Sequence, residues 1–365
     1  MRVALVHDWL TGMRGGEKVL EALVGIYPGA DVFTLVHVRG SVSAAIESRP
    51  IRTSFIQRLP AAARRYRHYL PLFPAAIEQF DLDGYDLVVS SSHCAAKAAV
   101  VPGRARHLCY CHSPMRYAWD QFDSYFGPRQ VGRVRSRWFY RPMLAGLARW
   151  DAATAPRVHR FVANSQFVAA RIGRYYHRRA GVVYPPVETE FFGPGTAGRG
   201  ATALVVSALV PYKEIDLAIA ASAAAGVPLR IVGDGPELAR LRRLAGPDVT
   251  FRGWISSAEV REEYRRAGVV LLPGVEDFGI VPVEAQACGT PVVAFAEGGA
   301  LETVVDGVTG TLVASRSADA WAGAIRNTLD ARLPAEAIRA HALRFGRKHF
   351  VAGIAAEVEQ LLASA

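Results

Sequence analysis

Short apolar runs alternate along this chain with longer stretches whose apolar positions recur every three or four residues. The runs read as strands buried on both faces of a parallel sheet, and the longer stretches as helices covering it. In the first half, strands are predicted at 3–6, 32–35, 87–90, 107–110 and 161–163, and the stripe Val19, Leu20, Leu23, Val24 predicts a helix after the first of them. Asn164-Ser165 then closes a strand and opens a helix, with Ser165 as its N-cap. Prolines and glycines interrupt the alternation over Val182-Val183-Tyr184-Pro185-Pro186-Val187, Gly193-Pro194-Gly195 and Gly198-Arg199-Gly200, which predicts a linker. A second series follows, with strands at 203–207, 229–233, 249–252, 269–272, 291–295 and 310–313 and helices that include 257–267 and 317–329. Beyond Pro334 the pattern is wholly helical and ends at Phe350, Val351, Ile354, Ala355, Val358, Leu361 and Leu362. The fold class expected is α/β with two doubly wound domains, strand ends facing across a cleft. The boundaries expected are 1–186, a linker at 187–200, a second domain at 201–345 and a terminal helix at 346–365.

An apolar fraction of 51% with 21% charged residues excludes a disordered chain. No run approaches the roughly 18 apolar residues of a membrane span, and His7 and Asp8 come too early for a signal peptide, so a cytoplasmic protein is expected. Cys94, Cys109, Cys111 and Cys288 have neither the number for a disulfide framework nor the spacing for zinc, and read as reduced and inert. Charge changes the picture more. Residues 1–186 hold 26 Lys/Arg against 12 Asp/Glu, a net +14, while 187–365 hold 17 against 21, a net −4. The cations gather with aromatics at Arg64–Phe73, within a stretch that starts at Arg58, and at Arg129–Trp150. Such segments suit an anionic membrane surface, or else are solvated helices whose apolar faces join the core.

Candidate chemistry sits at strand ends, where ligands bind in open α/β sheets. Gly12-Met13-Arg14-Gly15-Gly16-Glu17 after the first strand is either an anion cradle or a tight turn. His112-Ser113-Pro114 follows another strand, and its His is either a ligand group or a satisfied structural histidine. The strand at 269–272 runs through Pro273 and a Gly-containing loop into a helix predicted from near Phe278 to Gly289, which puts Glu276 in the loop and Glu284 on the helix. Two carboxylates there accept from sugar hydroxyls, or are solvated surface acids. Asp81-Leu82-Asp83 precedes Gly84 and reads as a polar turn, with no metal implied.

Taken together, Gly15-Gly16-Glu17, His112-Ser113-Pro114, Asn164-Ser165, Leu209-Val210-Pro211-Tyr212-Lys213, Gly233-Asp234-Gly235-Pro236-Glu237, the Glu276/Glu284 pair and Gly298-Gly299-Ala300-Leu301-Glu302 resemble the GT-B glycosyltransferases, specifically the retaining family 4. The resemblance spans nearly the whole chain. It implies two Rossmann-like domains with the terminal helix packing back on the first, and a hexosyltransferase that needs no cofactor or metal. A GDP- or UDP-linked sugar serves as co-substrate. Glu284 would bind ribose hydroxyls, Glu276 would lie at the transferred sugar, and the backbone of Phe278, Gly279 and Ile280 would approach sugar and phosphate. Lys213 would neutralise the diphosphate, Gly15 and Gly16 would offer backbone N–H to it, His112 would contact the sugar, and Asp8 would face the acceptor. Gly233 belongs to the donor-binding set, and Phe251-Arg252-Gly253-Trp254 would line the base pocket. The wording around Glu284 and the N-terminal His-Asp-Trp-Leu resemble bacterial α-mannosyltransferases of polysaccharide and O-antigen assembly. That implies GDP-mannose, a glycan or polyprenyl-linked acceptor, and a place on the inner face of the plasma membrane.

The sequence departs from the family at Ala208, where many members carry an Arg as a second diphosphate cation, and at Glu214, an acid directly after Lys213. Either Arg14 or Arg116 substitutes, or donor binding is weak. The rival expectations are a nucleotide-sugar 2-epimerase or hydrolase on the same fold, and a non-catalytic lipid or nucleic-acid binder. No nucleic-acid motif accompanies the basic segments, so nucleic acid is not expected as a partner.

Overall fold

Two parallel sheets carry the chain in a computed structural model that describes residues 1–196 and 198–364. Ala197 of the predicted linker, Ala365 of the predicted terminal helix and the side chain of Arg129 lie outside the described residues. The chain divides into two compact units. One comprises Met1–Pro186 with the residues from Phe350 on, and the other Val187–His349.

The first unit contains β1 (Val3–His7), β2 (Asp31–Thr34), β3 (Ile51–Thr53), β4 (Leu87–Ser92), β5 (Arg106–Cys111), β6 (Arg160–Ala163) and β7 (Ala180–Val182), in the order β3-β2-β1-β4-β5-β6-β7. All described pairs are parallel. Alternation along β1 sends Ala4 and Val6 into one buried cluster and Val3 and Leu5 into the other, so both faces of the strand are covered. The second unit contains β8 (Ala203–Val206), β9 (Leu229–Val232), β10 (Val249–Gly253), β11 (Val269–Leu272), β12 (Val292–Phe295) and β13 (Gly310–Val313), in the parallel order β10-β9-β8-β11-β12-β13. Both orders reverse direction beside their first strand, between β1 and β4 and between β8 and β11. These are the switch points at which doubly wound sheets open a crevice.

The helices that matter here are α1 (Gly15–Ile26), α2 (Arg141–Ala153), α3 (Gln166–Tyr176), α4 (Ile215–Ala225), α5 (Ser257–Arg266), α6 (Ile280–Ala287), α7 (Ala318–Asp330) and α8 (Arg347–Ala363). Ser165 caps α3 as predicted, its hydroxyl accepting from Val168 N–H at 3.0 Å. The apolar stripe of α8 places Phe350, Ile354, Val358 and Leu361 in the cluster that holds Val3 and Leu5. Tyr110 on β5 packs edge-on to Phe350 and donates its hydroxyl proton to the Val183 carbonyl at 2.9 Å. Burying each of those four side chains contributes about 1.5–3 kcal/mol, so an Ile354→Asp change would detach the helix.

Two strands differ from expectation. β3 and β7 are three-residue edge strands, too short and too polar or glycine-containing for a periodic signal. Val182 therefore ends a strand and does not open the linker, and Val183 N–H still bonds the Ala163 carbonyl at 3.0 Å. Within 187–200, Val187 pairs with Gly346, and Arg265 holds the Gly193 carbonyl at 2.7 Å, so this stretch is bonded into the second unit.

Candidate active site

At the first sheet's switch point the ends of β1, β4 and β5 gather His7, Asp8, Ser91, His93 and His112. His7 and Ser91 are register partners, and their side chains meet at 3.1 Å from His7 Nδ1 to Ser91 Oγ. The same hydroxyl lies 2.8 Å from His112 Nε2. Gly16, in the first turn of α1, faces both rings: a Cβ there would lie 3.4 Å from His7 Cε1 and 3.8 Å from His112 Nε2. Burial presses the His7 imidazole down to a pKa of about 3, so it stays neutral. Glu17, also in that first turn, is buried, accepts from Arg14 N–H at 3.1 Å, and has its carboxyl pushed up to about 7 by the loss of solvent.

Asp8 is held by backbone of its own unit. The residue is fully buried, and its oxygens accept backbone N–H bonds from His93 (2.7 Å), Cys94 (3.0 Å), Ala95 (2.6 Å) and Ala96 (2.8 Å), with His93 Nδ1 3.1 Å away. Four oriented donors make burial of a carboxyl tolerable. Asp8 organises the loop after β4, which carries His93.

In the second unit Lys213 and Glu276 form an ion pair that links the loop after β8 to the loop after β11. The backbones force this meeting. A Cβ on Gly274 would fall 2.5 Å from the Tyr212 carbonyl oxygen and 2.7 Å from Lys213 Cα, so only glycine lets the loops approach. On the other side Gly299 N–H donates to the Glu276 carbonyl at 2.8 Å. Gly279 precedes α6 with φ +88, a left-handed conformation, and turns the chain from Glu276 into the helix. Glu284 lies on α6, largely buried, and accepts the Tyr264 hydroxyl proton at 3.1 Å. Gly233 packs against the end of β8, where a Cβ would overlap the Ser207 carbonyl. Trp254, beyond β10, is 84% exposed.

Residues 14–191 match the family described as Glycosyltransferase Family 4, and residues 186–345 match the one described as Glycosyl transferases group 1. A D-inositol 3-phosphate glycosyltransferase of Mycolicibacterium paratuberculosis is 33% identical over 322 residues, spanning 73% of this chain and 71% of that protein. The chain belongs to glycosyltransferase family 4. A similarly named protein of Acidothermus cellulolyticus is 39% identical over 210 residues, 48% of this chain and 47% of that one. Sucrose-phosphate synthase from Thermosynechococcus elongatus matches in fold with a TM-score of 0.73 at 20% identity, and Anabaena Alr3699/HepE in complex with UDP-glucose with 0.69 at 18%, each over 100% of both chains. The fold is therefore GT-B, and this family 4 member is a retaining glycosyltransferase that takes its sugar from a nucleotide-sugar donor.

The departure of this family 4 chain at Glu214 has a local answer. Arg316, after β13, pairs with Glu214 and stacks its guanidinium 4.2 Å over the Phe295 ring, so the acid beside Lys213 is neutralised within its own unit. Arg316, Tyr264, His7 and Ser91 all escaped the sequence reading. Three consecutive serines ending an apolar strand, Ser90, Ser91 and Ser92, all buried, were the available signal for the last.

The two basic segments differ in structure. In Arg64–Phe73 the aromatics Tyr66 and Phe73 belong to the core, leaving the arginines outside. In Arg129–Trp150, Val134, Trp138 and Phe139 are 74%, 73% and 59% exposed beside exposed Arg133, Arg135 and Arg137. The end of α2 is fastened below them. Lys97, buried, pairs with Asp151 at 3.0 Å, and Asp151 also accepts from Trp119 (2.7 Å) and Tyr176 (2.8 Å). No helix among the described residues is long and apolar enough to cross a membrane.

Proposed function

We propose that the protein transfers mannose from GDP-mannose to a glycan or polyprenyl-linked acceptor at an anionic membrane surface, with retention and without a metal. The observation that carries the donor site is the Lys213–Glu276 pair at the second switch point, with Glu284 on the helix that follows. Lys213 neutralises the diphosphate, whose negative charge grows as the glycosidic bond breaks. Glu276 meets the transferred sugar, Glu284 the ribose, and the backbone of Phe278, Gly279 and Ile280 the sugar and phosphate. In the first unit the Gly15–Gly16 backbone offers N–H to phosphate and His112 meets the sugar. No side chain is needed as a covalent nucleophile: the acceptor attacks from the face the leaving phosphate occupies, and that phosphate takes the acceptor's proton.

The choice of mannose is supported by the wording of the chain around Glu284. The membrane surface is supported by the exposed Trp138 and Phe139 among cations. Thermal unfolding with a panel of nucleotide sugars tests the donor, since a ligand at a hundredfold excess over its Kd stabilises by roughly 2.7 kcal/mol. GDP-mannose is expected to raise Tm and UDP-sugars to leave it unchanged; the reverse pattern reassigns the base. Turnover that persists without any acceptor would favour the epimerase or hydrolase reading.

A further inference from the structure

We infer that Ser91 and His7 fix the tautomer of His112, leaving it a neutral imidazole that donates through Nδ1. The inference rests on the reading that His112 meets the sugar. It concerns how that ring is held, and names Ser91 and His7 as positioning residues.

Three neighbouring strands bring the groups together. His7 and Ser91 are register partners on β1 and β4, Ser91 and Tyr110 are partners on β4 and β5, and His112 N–H donates to the Ser92 carbonyl at 2.8 Å. Ser91 Oγ stands 3.1 Å from His7 Nδ1 and 2.8 Å from His112 Nε2. A hydroxyl has one hydrogen, and Ser91 Oγ bonds no third polar atom among the described residues, so it donates to one ring and accepts from the other. The direction is decided at the far side of His7. Its Nε2 is buried and has no hydrogen-bond partner among the described residues, and it points at the first turn of α1, 3.8 Å from where a Gly16 Cβ would stand.

The amides of that turn carry the positive end of the helix dipole. A proton on Nε2 would be an unpaired donor held against positive charge, whereas a lone pair there is attracted to it. The His7 proton therefore sits on Nδ1 and is donated to Ser91 Oγ. Burial keeps His7 from taking a second proton. Ser91 then spends its own hydrogen on His112 Nε2, and the proton of His112 is left on Nδ1. A ring so held offers a hydrogen bond to a lone pair, as on a sugar hydroxyl, and cannot serve as a base through Nε2.

The opposite face of β4 supplies a built-in comparison. Ser90 Oγ lies 2.8 Å from His107 Nε2, and His107 Nδ1 lies 3.1 Å from the Arg157 carbonyl, which can only accept. There the backbone fixes the tautomer, and the serine hydroxyl donates to a nitrogen already left bare.

Proton–nitrogen correlation spectra of the full chain labelled at histidine, with His112 assigned through His112→Gln, test the inference directly on the wild type. A protonated Nδ1 and bare Nε2 on His112 are expected; a protonated Nε2 overturns it. Ser91→Ala should let His112 average between tautomers and lower kcat about tenfold, the rate equivalent of one hydrogen bond, with the donor KM within about twofold. Ser91→Thr should restore both, and Ser90→Ala should leave kcat unchanged. A Ser91→Ala protein with wild-type kcat and unmoved His112 nitrogen shifts overturns the inference. Full turnover in His112→Ala removes His112 from the sugar site instead, and the spectra still decide the tautomer.

Discussion

Lys213 donates to the Glu276 carboxylate, joining two loops that lie 63 residues apart in the chain at the switch point of the second sheet. Both side chains are mostly covered, at 14% and 16% exposure, so their charges are screened less than those of a surface pair. The cation proposed for the diphosphate and the acid proposed for the sugar therefore compete: phosphate oxygens must draw Lys213 away from Glu276, or share it.

Lys213→Ala follows from that competition. A charge-assisted hydrogen bond to phosphate contributes about 1.5–3 kcal/mol, and part of it is offset by the lost pairing with Glu276. Titration calorimetry with the nucleoside diphosphate should show affinity falling on the order of tenfold. An unchanged affinity would take Lys213 out of the diphosphate site.

Glu276→Gln should move binding and turnover in opposite directions. The amide no longer holds Lys213 as an ion pair, so the nucleoside diphosphate binds as well as before or better. Turnover should drop by roughly a hundredfold, because the charge facing the reacting sugar is gone. Steady-state kinetics and calorimetry on one preparation read both effects. A fully active variant would remove Glu276 from the chemistry.

Glu17 makes stability depend on pH with a definite sign. Its carboxyl is raised by burial from the ordinary 4.5 to about 7. Between those values the folded chain holds a proton that the unfolded chain has lost, so stability falls as pH rises through the window and the loss is complete above about 7. The size is on the order of 3 kcal/mol. Glu17→Gln keeps an acceptor for Arg14 N–H and removes the ionisation. Urea unfolding at acid and alkaline pH should show the variant gaining on the wild type as pH rises. A difference independent of pH would refute the assignment.

What could be read from the sequence followed the range of the interaction. Local patterns gave the strand–helix alternation, the Ser165 cap and the Glu276/Glu284 spacing, because each is written within a few residues. Ser91, Tyr264 and Arg316 were not legible, since their roles arise from contacts at separations of 84, 20 and 102 residues. The bonds of Asp8 were equally out of reach: four backbone donors converge on its carboxylate, and nothing in the local sequence announces them. The place of the Arg64–Phe73 aromatics stayed open for a related reason, since a cationic amphipathic stretch has the same composition whether its rings cover a lipid surface or the protein's own core.

Arg133, Arg135 and Arg137 separate those two possibilities for the other basic segment. Beside them Trp138 and Phe139 stay exposed, which is costly in water and suited to a headgroup interface, where aromatic rings sit and each nearby cation contributes about 1 kcal/mol. Replacing the three arginines by Ser should weaken sedimentation with anionic vesicles by about a hundredfold in partition. Raising salt should mimic this in the wild type, while binding to neutral vesicles stays weak throughout. Trp138→Ala, which keeps every charge, should lower binding further in a salt-independent way. Unaltered sedimentation of the triple variant would show that cations elsewhere, such as Arg64, Arg65 and Arg67, carry the attraction, or that the surface meets no membrane.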